Sequence, residues 1–174
     1  MAHNNEQAYA LLTETLQQRG VDVDAVKTAL KQQVIETPSW GYADSGTRFG
    51  VFAQPGAAVT IAEKLEDAAQ VHRYTGIAPL VATHVLWDFP DQASVESVPA
   101  LAESLGVRIG SINPNTFQDR EYWMGSFGNR NPEIRRKAIQ HCLDSVEIGK
   151  QLNSTVLSLW FADGTDYPGQ RDFR

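Results

Sequence analysis

The chain has 174 residues, 42% of them hydrophobic and 21% charged, and a formal net charge of −6, a composition suited to one soluble globular domain with a real core. The negative balance and the lack of a basic run argue against a surface that follows nucleic-acid phosphates. No apolar stretch approaches the roughly 20 residues of a spanning helix, the N-terminus lacks the basic and apolar regions of a signal peptide, and the one cysteine, Cys142, has no internal disulfide partner. A cytoplasmic protein without a membrane or nucleic-acid partner is the expectation.

From Glu6 to about Gln18, Tyr9, Leu12 and Leu16 share one helical face, and Gly20 is a C-terminal stop signal. A second helix is expected from Asp22 or Asp24 to Gln33, with Val26 and Leu30 buried. Residues 1–32 therefore read as a helical segment that would cap or flank the rest. A short first strand follows at Gln33 to Thr37, and then a long glycine-rich loop from Gly41 to Gly56 around Arg48, Phe49, Val51 and Phe52. Loops of that length in compact domains are usually functional or disordered.

Thr60 and Glu63 form a capping box for a helix whose Ile61, Leu65, Ala68, Ala69 and His72 share a face, ended by Gly76 and Pro79. Leu80 to His84 is the second strand. Val98, Leu101, Ala102 and Leu105 have helical spacing before Gly106, and Val107 to Ile112 is the third strand. A second long loop, Asn113 to Arg130, carries Phe117, Tyr122, Trp123 and Phe127. Asn131 with Pro132 then opens a helix in which Ile134, Ala138, Cys142 and Val146 recur every fourth residue. Thr155 to Trp160 is the fourth strand. Strands alternating with helices imply an α/β fold with a parallel sheet. Residues 33–174 read as the first four βα units, the N-terminal half of a (β/α)8 TIM barrel. Four strands leave such a sheet with an uncovered inner face and two open edges, so a truncated barrel is expected.

Polar and aromatic groups gather after the strands. Trp40, Trp87 and Trp160 fall at corresponding strand ends, with His84 beside one of them, and in a barrel this is the face where substrates bind. Aromatic walls stack on the C–H faces of sugars, while neighbouring Asn, His and Asp groups satisfy hydroxyls. Core packing is the competing reading for each tryptophan and for His84, and Asp88 is equally suited to cap a helix. No metal site can be assembled from His3, His72, His84 and His141, and Asp163 and Asp166 suit turns as well as a hard cation. No nucleophile elbow, phosphate loop or dinucleotide fingerprint is present.

The ordered set Pro38-Ser39-Trp40-Gly41, Gly46-Thr47-Arg48-Phe49, Lys64-Leu65-Glu66-Asp67, His84-Val85-Leu86-Trp87-Asp88, Asn115-Thr116-Phe117, Glu147-Ile148-Gly149-Lys150 and Asp163-Gly164-Thr165-Asp166-Tyr167-Pro168-Gly169-Gln170 resembles the bacterial L-rhamnose isomerase family of the xylose isomerase-like barrels. The resemblance runs from about Thr37 to Phe173. It implies an aldose–ketose isomerase acting on L-rhamnose or a related sugar, assembled as a homotetramer and dependent on divalent metal, commonly manganese. It also implies sugar contact for His84, pocket walls from Trp87 and Trp160, Trp40 at the mouth, and a loop that carries Phe49 into a neighbouring subunit's site.

The family's metal ligands come from later strands, so by this resemblance no metal ligand or catalytic residue lies within the 174 residues, and the isolated chain is expected to be inactive. A half-barrel that binds sugar or associates with itself without catalysis is the alternative.

Overall fold

The computed structural model describes residues 2–47 and 50–161. Two compact units divide the chain, Met1–Val34 and Ile35–Arg174. The first holds helices α1 (Ala2–Gln18) and α2 (Val23–Lys31). Asp22 caps α2 by accepting the backbone N–H groups of Asp24 and Ala25 at 3.1 and 2.9 Å. Lys27 lies over the ring of Tyr9, 5.0 Å from its centroid. The expectation of buried Val26 and Leu30 fails: they are 48% and 56% exposed, and Val23 is the buried residue of α2. Two helices have too little facing surface to cover every apolar side chain they carry.

The second unit runs β1 (Glu36–Pro38), a single 3₁₀ turn (Ser39–Gly41), β2 (Ser45–Thr47), β3 (Gly50–Phe52), α3 (Ile61–Thr75), β4 (Leu80–His84), α4 (Gln92–Leu105), β5 (Arg108–Asn113), a 3₁₀ turn (Arg120–Met124), α5 (Pro132–Gln151) and β6 (Val156–Leu157). Strands β1, β4, β5 and β6 form one parallel sheet in that spatial order. Spatial order matches chain order, and each step to the next strand passes through a helix. Winding in one direction is how a (β/α) barrel is built, whereas a doubly wound sheet reverses. The α/β class and the half-barrel arrangement therefore hold.

Local chemistry explains the elements. Thr60 and Glu63 make the reciprocal capping box at α3, and Gly76 closes that helix at φ 71°. Asn131 caps α5 with Pro132 in its first turn. Leu65 and Ala68 of α3, Val95, Val98 and Ala102 of α4, Val81 of β4, and Ile109 and Ile112 of β5 build the core. Among the described residues no helix is long and apolar enough to cross a membrane.

Several boundaries move. The first strand is Glu36–Pro38 rather than Gln33 to Thr37, and the fourth contracts to Val156–Leu157, since among the described residues β6 has a neighbour on one side only. The glycine-rich loop contains the antiparallel pair β2 and β3, with Ser45 opposite Phe52. On α5 the buried residues are Ala138, Ser145 and Gly149, while Val146 is exposed. A strict four-residue repeat drifts by about 40° per step around a helix of 3.6 residues per turn, so its last member leaves the buried face.

Register between β4 and β5 breaks in the middle. Val81 pairs with Ile109 and Thr83 with Ile112, so Gly110 and Ser111 oppose the single Ala82. The Glu36 carboxylate crosses to this bulge and accepts from the Ser111 backbone N–H and, at 2.9 Å, from its hydroxyl. A Cβ on Gly110 would fall on that carboxylate.

Candidate functional site

The C-terminal ends of β1, β4, β5 and β6 open on the same side, as parallel strands must, and the aromatic residues converge there. The His84 imidazole stacks on the Trp87 indole with ring centroids 3.6 Å apart and planes 13° from parallel. Trp40, from the turn after β1, presents an edge to both rings at 5.7 and 6.3 Å. Phe117, from the loop after β5, stands edge-on to His84 and Trp87 at 5.9 and 6.4 Å and meets Trp160 at 4.7 Å. The structure thus brings His84, Trp87, Trp40 and Trp160 into one constellation. Phe49, like Asp163 and Asp166, lies outside the described residues.

His84 is 4% exposed, and its protonation state follows from its neighbours. The Val85 carbonyl oxygen lies 3.1 Å from Nδ1; a carbonyl can only accept, so the proton is on Nδ1 and Nε2 carries a lone pair. Burial pulls the pKa down to about 4, against an upward pull from Asp88. At neutral pH the ring is an uncharged acceptor.

Its backbone is held by Asp88, which caps nothing: Asp91 is the N-cap of α4. The Asp88 carboxylate is fully buried and accepts the His84 N–H at 2.6 Å, the Ser39 hydroxyl at 2.5 Å and the Lys64 ammonium at 2.7 Å. One carboxylate therefore joins the end of β1, helix α3 and the end of β4. Between His84 and Asp88 the chain turns through Leu86 at φ 93°, a left-handed conformation that is strained for a bulky side chain. The turn leaves Leu86 exposed and Trp87 partly so.

Behind the aromatic residues lies a polar relay that the sequence did not disclose. Gln118 Oε1 accepts the Trp87 indole N–H at 2.7 Å and the Asn115 amide N–H at 2.7 Å. Asn115 Oδ1 accepts the backbone N–H groups of Phe117 and Gln118. Asn115 donates its own N–H to His141 Nε2 at 2.9 Å. Phe117, Gln118 and His141 were not among the expected site residues. Phe117 had a signal, an aromatic in a polar loop after a strand; His141 had none, because it reaches the loop only through the packing of α5.

No family model matches the chain. Over 173 aligned positions, covering 95% of the chain, it is 39% identical to a probable sugar isomerase of Rhizobium meliloti strain 1021. Its identity to a probable sugar isomerase of Mesorhizobium japonicum is 35%, with 97% of the chain covered. The likeness is to sugar isomerases. The chain spans about two-fifths of the length of these relatives, 39% and 40% respectively.

Proposed function

We propose that the chain supplies the sugar-binding wall of an aldose–ketose isomerase of the L-rhamnose isomerase type, which interconverts L-rhamnose and L-rhamnulose in the cytoplasm. The observation that carries this reading is the stack of His84 on Trp87 at the mouth of the parallel strands. Similarity to two probable sugar isomerases supports it. A sugar offers apolar C–H faces and a ring of hydroxyls. Trp87 and Trp160, both partly exposed at the mouth, supply the faces on which the first can stack. The His84 Nε2 lone pair accepts from a hydroxyl, and Trp40 closes the side of the constellation.

Among the described residues no group of three His, Cys, Asp or Glu side chains is placed to hold a metal ion. The resemblance places the metal ligands in later strands, and the part we propose for the residues described is binding and orientation of the sugar. We assign isomerisation to the whole protein, as a homo-oligomer in which Phe49 completes a neighbouring site, and expect no turnover from the 174-residue polypeptide alone. Manganese-dependent isomerisation by the purified polypeptide would overturn that expectation.

Indole N–H resonances test the binding role directly. Titration with L-rhamnose is expected to move the signals of Trp87 and Trp160 and to spare Trp123, whose ring has no contact with those of the constellation among the described residues. Four unmoved tryptophan signals would remove the sugar from this site.

A further inference from the structure

We propose that His141, on helix α5, is a positioning residue for the mouth: acting through Asn115 and Gln118, it holds the Trp87 indole in the orientation that stacks on His84. For its ligand the proposal rests on the sugar-binding reading above; the relay itself rests on geometry alone.

Each link has a forced direction. A backbone N–H can only donate, so His141 Nε2 accepts from Asn115 and the ring proton is on Nδ1. An indole N–H can only donate, so the amide oxygen of Gln118 faces Trp87, and its second lone pair takes the Asn115 amide. Asn115 is buried, and its side-chain oxygen draws the Phe117 and Gln118 backbone around it. A single acceptor on α5 thus sets the loop that presents both Phe117 and the partner of Trp87. Other ties from α5 reach this loop away from Asn115: Lys137 pairs with Asp119 and Glu121, largely exposed, and Arg135 donates to the Asn129 and Arg130 carbonyls at the far end of the loop.

The relay has a protonation state in which it fails. An imidazolium carries N–H groups on both nitrogens and cannot accept from Asn115. Burial lowers the His141 pKa below the ordinary histidine value, while Asp144 on the same helix opposes that shift. Charge on His141 in turn disfavours charge on His84 of β4. Nearer the surface Lys137 pairs with both Asp119 and Glu121, a cluster with one more carboxylate than ammonium. The contact therefore holds at neutral pH and is lost on the acid side.

The test uses the 174-residue chain, with the Trp87 indole N–H signal assigned by comparison with Trp87→Phe. In His141→Ala the signal is expected to move at pH 7.5 toward the position the parent reaches in acid, with L-rhamnose affinity falling about tenfold, the scale of one buried polar contact. His141→Gln, which restores a neutral acceptor near Nε2, is expected to keep the parent signal and lose its response to acid until His84 titrates. Gln118→Ala, at an exposed position, is expected to reproduce the His141→Ala shift. An unmoved Trp87 signal in both alanine variants, or a glutamine variant that behaves like alanine, would overturn the proposal. If the indole responds as expected but L-rhamnose perturbs no tryptophan in any variant, the relay stands and the sugar reading falls.

Discussion

The His84 imidazole lies flat against the Trp87 indole, 3.6 Å between centroids, and the two residues are separated in sequence only by Val85 and the strained Leu86. The turn at the end of β4 thus folds the strand's last side chain and its own third residue onto each other. One face of each ring is used in that contact. Trp40 and Phe117 stand edge-on to Trp87, which stays partly exposed, and Trp160 is exposed.

Removing the imidazole separates its two roles. His84→Ala is expected to weaken L-rhamnose binding by tenfold or more, through loss of both the stack and the acceptor. His84→Phe keeps a ring against Trp87 but has no lone pair, so an intermediate loss is expected. In the whole protein, metal content should be unchanged by either substitution, since His84 is proposed as a sugar contact; loss of bound manganese, measured by metal analysis, would refute that role.

The depressed pKa of His84 links stability to pH. Its folded value is about 4, against roughly 6.5 in an unfolded chain. The unfolded state takes up the proton first, so stability is full above about pH 6.5 and declines as pH falls toward 4. The loss amounts to at most about 3 kcal/mol. His84→Gln should flatten this part of the profile, measured by urea denaturation from pH 7.5 to 4; an unaltered acid limb would place the cause elsewhere. His141, also held neutral by burial, acts with the same sign.

Asp88→Ala would strand the buried Lys64 ammonium and release the His84 and Ser39 donors. A destabilisation of about 3–5 kcal/mol is expected, the usual cost of breaking a buried pair from one side. Lys64→Met combined with Asp88→Ala should lose less than the sum of the two single substitutions. Additive losses would mean that the two groups are not coupled.

Leu86 offers a change in the opposite direction. Glycine adopts φ 93° without a Cβ penalty, and the leucine side chain is already exposed, so Leu86→Gly sacrifices little packing. Stabilisation of up to about 1 kcal/mol is expected after the entropy cost of glycine is offset. A lower denaturation midpoint would show that Leu86 makes a contact worth more than its strain.

Most of the architecture was legible from local signals. Capping residues at Thr60 and Asn131, glycine stops at Gly76 and Gly106, and apolar periodicity located the helices of the second unit, because these preferences act within one or two turns of chain. Strand ends were less legible. Pairing on one side only shortened β6, and a bulge at Gly110 and Ser111 altered the register of β5, both consequences of neighbours distant in sequence.

The same division runs through the site. By itself the sequence determined that Trp40, His84, Trp87 and Trp160 stand at strand ends, since a parallel βα repeat sends every strand end to one side. Tertiary structure alone decided that His84 stacks on Trp87, that Asp88 binds Lys64 and Ser39 instead of capping a helix, and that His141 reaches the loop after β5. The physical reason is range. Secondary-structure preferences are written in adjacent residues, whereas a buried ion pair or a hydrogen-bond relay depends on side chains 24 to 49 positions apart, which meet only once helices and strands have packed.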